Sequence, residues 1–107
     1  MPSLPISHTD LFQQVVASFR DVLEQSGRPV PETIDEQTIL FGKGAPLDSL
    51  ALVTMIVDLE QRLEEEYGIT LTLADERAMS QRNSPFRTIR SLVDYLERLI
   101  AEESGRD

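Results

Sequence analysis

Residues 49–67 carry an apolar stripe too wide for one neighbour to cover. On a helical wheel Leu52, Val53, Ile56, Leu59, Leu63 and Tyr67 share a face, with Leu50 and Val57 widening it on one flank and Met55 on the other. The polar strip left over is narrow: Ala51, Thr54, Asp58, Gln61, Arg62 and Glu65. A helix this apolar in its first half packs against more than one element or keeps apolar surface for a partner. The segment predicts a helix of roughly 27–28 Å at 1.5 Å per residue, ended by Gly68, inside a small helical bundle.

Two more segments have helical periodicity. Phe12, Val15, Val16, Phe19, Val22 and Leu23 recur at 3–4 spacing over residues 9–26, with Ser7 and Thr9 as candidate caps and Gly27 as the stop. Ile89, Leu92, Val93, Leu96, Leu99 and Ile100 do the same over residues 85–103, where Ser84-Pro85 suits a cap and first helical position. Residues 28–46 form a long connection with three prolines and two glycines, and its Ile34, Ile39, Leu40 and Phe41 are expected to be pinned to the core. Long ordered loops of this kind are often functional. Residues 69–73 alternate like a strand, but one strand builds no sheet, so they read as an extended connector. Residues 74–79 read as a short helix, and Tyr67 and Tyr95 as packing residues at the core edge. The expected fold is all-α: three long helices and one short one, with a long loop between the first two. One domain over residues 9–103 is expected between mobile tails at 1–8 and 104–107.

Composition narrows the function. The chain of 107 residues contains no cysteine, which excludes disulfides and thiolate metal sites. It holds no run of the ~20 apolar residues that span a membrane, and its start lacks the basic and apolar regions of a signal peptide, so a cytoplasmic location is expected. The net charge is −9, and residues 48–76 hold eight acids against one base. Binding nucleic acid requires clustered Lys and Arg, so an acidic middle speaks for protein partners instead.

The most informative motif is Leu47-Asp48-Ser49-Leu50, placed directly after the Gly/Pro loop Phe41-Gly42-Lys43-Gly44-Ala45-Pro46. Asp and Ser cap helices because their short oxygens accept from orphan N–H groups of the first turn. That turn also carries partial positive charge, which favours a phosphate attached there. A hydroxyl at this place serves as a plain cap or as the attachment point of a phosphate-linked group.

Together with the helix pattern, residues 47–69 (LDSLALVTMIVDLEQRLEEEYGI) resemble the acyl carrier protein family, and the match extends over about residues 9–103. The resemblance implies a carrier bundle that is not itself an enzyme and binds no metal of its own. Ser49 matches the serine that receives a 4′-phosphopantetheine arm, and Asp48 the preceding acid, which the family uses with a magnesium-dependent phosphopantetheinyl transferase. Leu50 matches the apolar residue at the edge of partner contacts. Acyl-loading and acyl-transferring enzymes are the other implied partners, with a monomeric carrier. On the helix flank below Ser49, Leu50, Thr54, Val57, Asp58 and Gln61 are the expected partner-binding residues, with Asp58 and Glu65 steering encounter.

The chain departs from the family at three points. Pro46 stands where Gly is common three residues before the serine, Ala51 and Thr54 stand where acids are common, and the second helix is about one turn longer. These differences favour a dedicated carrier of a specialised pathway over the housekeeping fatty-acid carrier. A serine hydrolase would need a base beside Ser49, and the sole histidine, His8, falls in the predicted tail; no G-x-S-x-G elbow is present. The remaining alternative is an unmodified interaction module of the same shape, with Ser49 only a helix cap.

Overall fold

The computed structural model describes residues 6–42, 44–71 and 85–104. Among them the fold is all-helical: α1 is His8–Gln25, α2 is Ser49–Tyr67 and α3 is Ile89–Ser104. Extended pairing among the described residues is limited to two isolated bridges in the loops. Helix α1 is the hub and packs against both α2 and α3. It presents Leu11, Val15, Phe19, Val22 and Leu23 to a core that α2 fills with Leu52, Met55, Ile56, Leu59 and Leu63. Helix α3 adds Leu92, Val93, Leu96 and Ile100. Each such side chain contributes about 1.5–3 kcal/mol relative to exposure. Ser18 is the one polar residue fully buried among the described residues, and its hydroxyl donates to the Met55 carbonyl at 3.3 Å, so no bond is lost on burial. Arg62 ties the same interface from the rim, pairing with Asp21 of α1 and with Asp58 one turn back on α2. No described helix is long and apolar enough to cross a membrane.

The bounds of α2 are those the sequence predicts, and Gly68 ends it at φ 66. Elsewhere the structure corrects the expectations. Helix α1 starts at His8, capped by Ser7, whose hydroxyl accepts the Asp10 N–H at 3.1 Å. Ile6 is buried in the core together with Leu11, the pair of positions that staples a helix entry. Residues 6–8 thus contribute a buried side chain, a cap and the first helical position, while residues 1–5 lie outside those described.

Helix α3 starts at Ile89, not at Pro85. The Thr88 hydroxyl accepts the Ser91 N–H at 3.1 Å and the Ser91 hydroxyl accepts the Thr88 N–H at 3.0 Å. This reciprocal cap outcompetes the proline signal. Thr88 is also held in a bridge to Ile39. That bridge turns Ile39 outward, 53% exposed, while its neighbour Leu40 is fully buried, so only the second belongs to the core. The short helix expected at 74–79 lies outside the described residues, as do residues 72–73 of the extended connector. Tyr67 and Tyr95 pack at the core edge as expected, the latter edge-on to Phe86 at 6.1 Å between ring centroids.

His8 is exposed but not unattached. Its Nδ1 lies 2.9 Å from Glu97 of α3 and its Nε2 3.3 Å from Glu36 of the long loop. These bonds, the one to Glu97 first, raise its pKa above the ordinary 6.5. A raised histidine stabilises fully below its unfolded pKa and loses that contribution as pH rises through the folded one. The melting temperature is therefore expected to fall by about 1–3 °C between pH 6 and pH 8 on account of His8, the scale of exposed ion pairs. Thermal scans of His8→Gln should lack that portion of the fall; an unchanged pH response in the variant would show that the His8 pairing with Glu97 and Glu36 carries none of it.

Candidate functional site

The entrance to α2 is built by the long loop. The Leu47 N–H donates to the Leu40 carbonyl at 3.3 Å, and Phe41 and Leu47 form a parallel bridge. The chain between them makes a tight excursion in which Gly42 and Gly44 adopt φ 133 and 76, angles that side chains with a Cβ rarely take. The anchored excursion returns the chain at Pro46 and Leu47, so Asp48 and Ser49 meet the first turn at a fixed angle.

Asp48 is the helix cap. It is extended (φ −89, ψ −178), and its Oδ1 accepts the Ala51 N–H at 2.8 Å. Its Oδ2 accepts from Arg28 Nη2 at 2.6 Å, and Arg28 Nη1 donates to the Pro46 carbonyl at 2.5 Å. The Ala51 N–H first, joined by the Arg28 guanidinium, holds the Asp48 carboxyl below its ordinary range against the opposing effect of burial. Ser49 is the first residue of α2, exposed, and its hydroxyl makes no hydrogen bond to another described residue. The N-cap of α2 is thus the neighbouring acid rather than Ser49.

Below Ser49, α2 leaves apolar side chains exposed. Leu50 is 77% exposed, and Val53 and Val57, three and seven residues on, are 40% and 43% exposed. Thr54, Val57, Asp58 and Gln61 line a groove of about 330 Å³ between α2 and α1, together with Val53, Val22 and Gln25. Val53 and Ala51 exchange the places expected of them, since Ala51 is buried and Val53 faces the groove. The covered arc of α2 centres on Leu52, Met55, Ile56, Leu59 and Leu63, so the apolar stripe is wider than the core it serves. Two polar members are already engaged. The Thr54 hydroxyl donates back to the Leu50 carbonyl at 3.0 Å, and Asp58 is half-buried and paired with Arg62 at 2.7 Å. Asp58 shares Arg62 with Asp21, so the three groups together keep one negative charge beside the groove. Glu64, Glu65 and Glu66 are exposed at the far end of the helix.

Sequence reasoning missed Arg28, Val22 and Gln25. The groove residues of α1 follow from how the helices cross, and Arg28 reaches Asp48 across twenty residues of chain, so neither leaves a local pattern. No family model, curated protein or solved structure matches this chain in the comparisons made with them.

Proposed function

We propose that the chain is a carrier protein that holds acyl or related intermediates as a thioester on a 4′-phosphopantetheine arm attached to Ser49. The observation that carries this reading is the exposed Ser49 hydroxyl at the start of a rigid helix, relieved of capping by Asp48. The site fits such a group: the hydroxyl is open to an incoming enzyme, and the first turn of α2 favours the phosphate charge. The arm supplies the thiol that the chain lacks, and tethering raises local concentration so that weak docking suffices. Asp48 helps to place the transferase and its magnesium, hard cations preferring oxygen ligands. The chain itself need not be an enzyme. His8 lies at the opposite end of α1 from Arg28, roughly 25 Å along the helix, and is held by Glu97 and Glu36, so it is no base for Ser49. Incubation of the purified protein with coenzyme A and a phosphopantetheinyl transferase, followed by intact-mass measurement, tests the reading: one added phosphopantetheine is expected.

Partner enzymes dock on this reading through the apolar ladder Leu50, Val53 and Val57, because these side chains stay exposed on the flank of α2 below Ser49. Leu50→Ala or Val57→Ala should reduce loading by about five- to thirtyfold, the effect of 1–2 kcal/mol of lost apolar contact. Raising salt should change loading by less than about threefold, since screening weakens charge pairs rather than apolar contact. Loading assays across a salt series read both. Near-normal Ala variants with a steep fall in salt would assign recognition to the acidic end at Glu64, Glu65 and Glu66 instead.

A further inference from the structure

Arg28 joins two parts of the Ser49 site that are far apart in sequence. Its backbone is fixed where α1 ends: Gly27 turns at φ 69, the Gly27 N–H donates to Glu24 at 3.1 Å and the Arg28 N–H to Leu23 at 2.9 Å. This pair of bonds is a Schellman closure. From that anchor the guanidinium crosses to α2, where one nitrogen holds the Pro46 carbonyl and the other the Asp48 carboxylate. The opposite oxygen of that carboxylate accepts the Ala51 N–H. The loop exit, the cap and the first turn of α2 thus hang on one planar group, and Ser49 lies inside the span from Asp48 to Ala51 that it fixes.

We infer that Arg28 is the positioning residue for docking at Ser49, its two-pronged guanidinium preordering the loop exit and first turn that a modifying enzyme meets. The inference rests on the reading of Ser49 as the acceptor. Energetics separate this role from a structural one. Side chains 37% and 57% exposed form an ion pair that adds little to stability. Their worth is preorganisation: a partner meeting a loosened loop exit must order it on docking, which weakens binding and leaves the chemical step alone. Lysine cannot replace the fork, because a point charge can neutralise Asp48 without holding Pro46 in the same plane.

The test compares the unmodified wild type, Arg28→Gln and Arg28→Lys with a phosphopantetheinyl transferase, magnesium chloride and coenzyme A, varying carrier concentration. Arg28→Gln should raise KM for the carrier by about five- to tenfold with kcat within about twofold, the scale of ordering one or two side chains. Arg28→Lys should recover only part of that KM. Carboxyl NMR supplies a readout free of activity: the Asp48 titration midpoint should rise in Arg28→Gln and stay low in Arg28→Lys. An unchanged KM in Arg28→Gln overturns the inference, as does a fall in kcat at constant KM, and full rescue by lysine overturns the fork. A wild type that gains no mass refutes the reading of Ser49 itself and this inference with it, a result distinct from any ranking of the variants.

Discussion

Ser49→Ala should abolish attachment of phosphopantetheine completely while shifting the melting temperature by less than about 3 °C, as for an exposed substitution away from any cap. The separation of chemistry from stability follows from the geometry of the turn. A serine at a helix start is ordinarily suspect as a test residue, because its removal costs an N-cap and the fold weakens together with the activity. Here the Ala51 N–H is satisfied by Asp48 Oδ1 at 2.8 Å, and the alanine leaves that bond in place. Asp48→Ala should do the reverse. It removes the cap and the Arg28 pairing, so it should lower the melting point and slow modification without ending it. Asp48 has its pKa lowered, so its contribution is present above its ordinary carboxyl range and is lost as pH falls through the depressed value. Intact-mass and circular dichroism measurements on the two variants separate the roles. A mass gain on Ser49→Ala would move the acceptor to another hydroxyl, and a deep loss of stability would make Ser49 a structural residue after all.

What could be read from the sequence divides along the range of the interactions. The bounds of α2 are local: an Asp cap at one end, Gly68 at the other and an unbroken apolar stripe between. Ser49 and Asp48 stand out for the same reason, since two adjacent residues and a glycine-bearing loop make a recognisable turn. The start of α3 differs from its sequence expectation because two local signals compete there. Pro85 suits a first helical position, yet Thr88 and Ser91 cap each other three residues later, and the pairing of the Leu40 N–H with the Arg87 carbonyl at 2.7 Å ties the intervening turn to the long loop. Periodicity also could not say which part of the broad stripe faces inward. A wheel weights Val53 above Ala51 by side-chain size, whereas the crossing with α1 buries the smaller residue and leaves the valine in the groove. Asp58 shows the same limit in charge: counted as a free acid in sequence, it shares Arg62 with Asp21 once the helices pack.

Leu40→Ala should destabilise the bundle by about 2–5 kcal/mol, the range for truncating a fully buried leucine, and lower the melting temperature by roughly 10–30 °C in a domain of this size. Against a typical total stability of about 5–15 kcal/mol the loss is severe. Leu40 is the point at which the long loop is pinned. Its side chain is fully buried, its N–H donates to Arg87 just before α3, and its carbonyl accepts from Leu47 just before α2. One residue therefore fixes the entry of both helices. The alanine keeps both backbone bonds, so the predicted loss belongs to the cavity and the lost apolar contact alone. Ile39→Ala is the internal control. That side chain is 53% exposed, and its removal should cost less than about 1 kcal/mol. The neighbours thus differ only in which side of an extended segment they occupy. Well below its new midpoint, Leu40→Ala should still accept phosphopantetheine at Ser49, because the acceptor hydroxyl and its capping acid are untouched. Equal melting temperatures for the two variants would show that the loop is not seated on the core through Leu40.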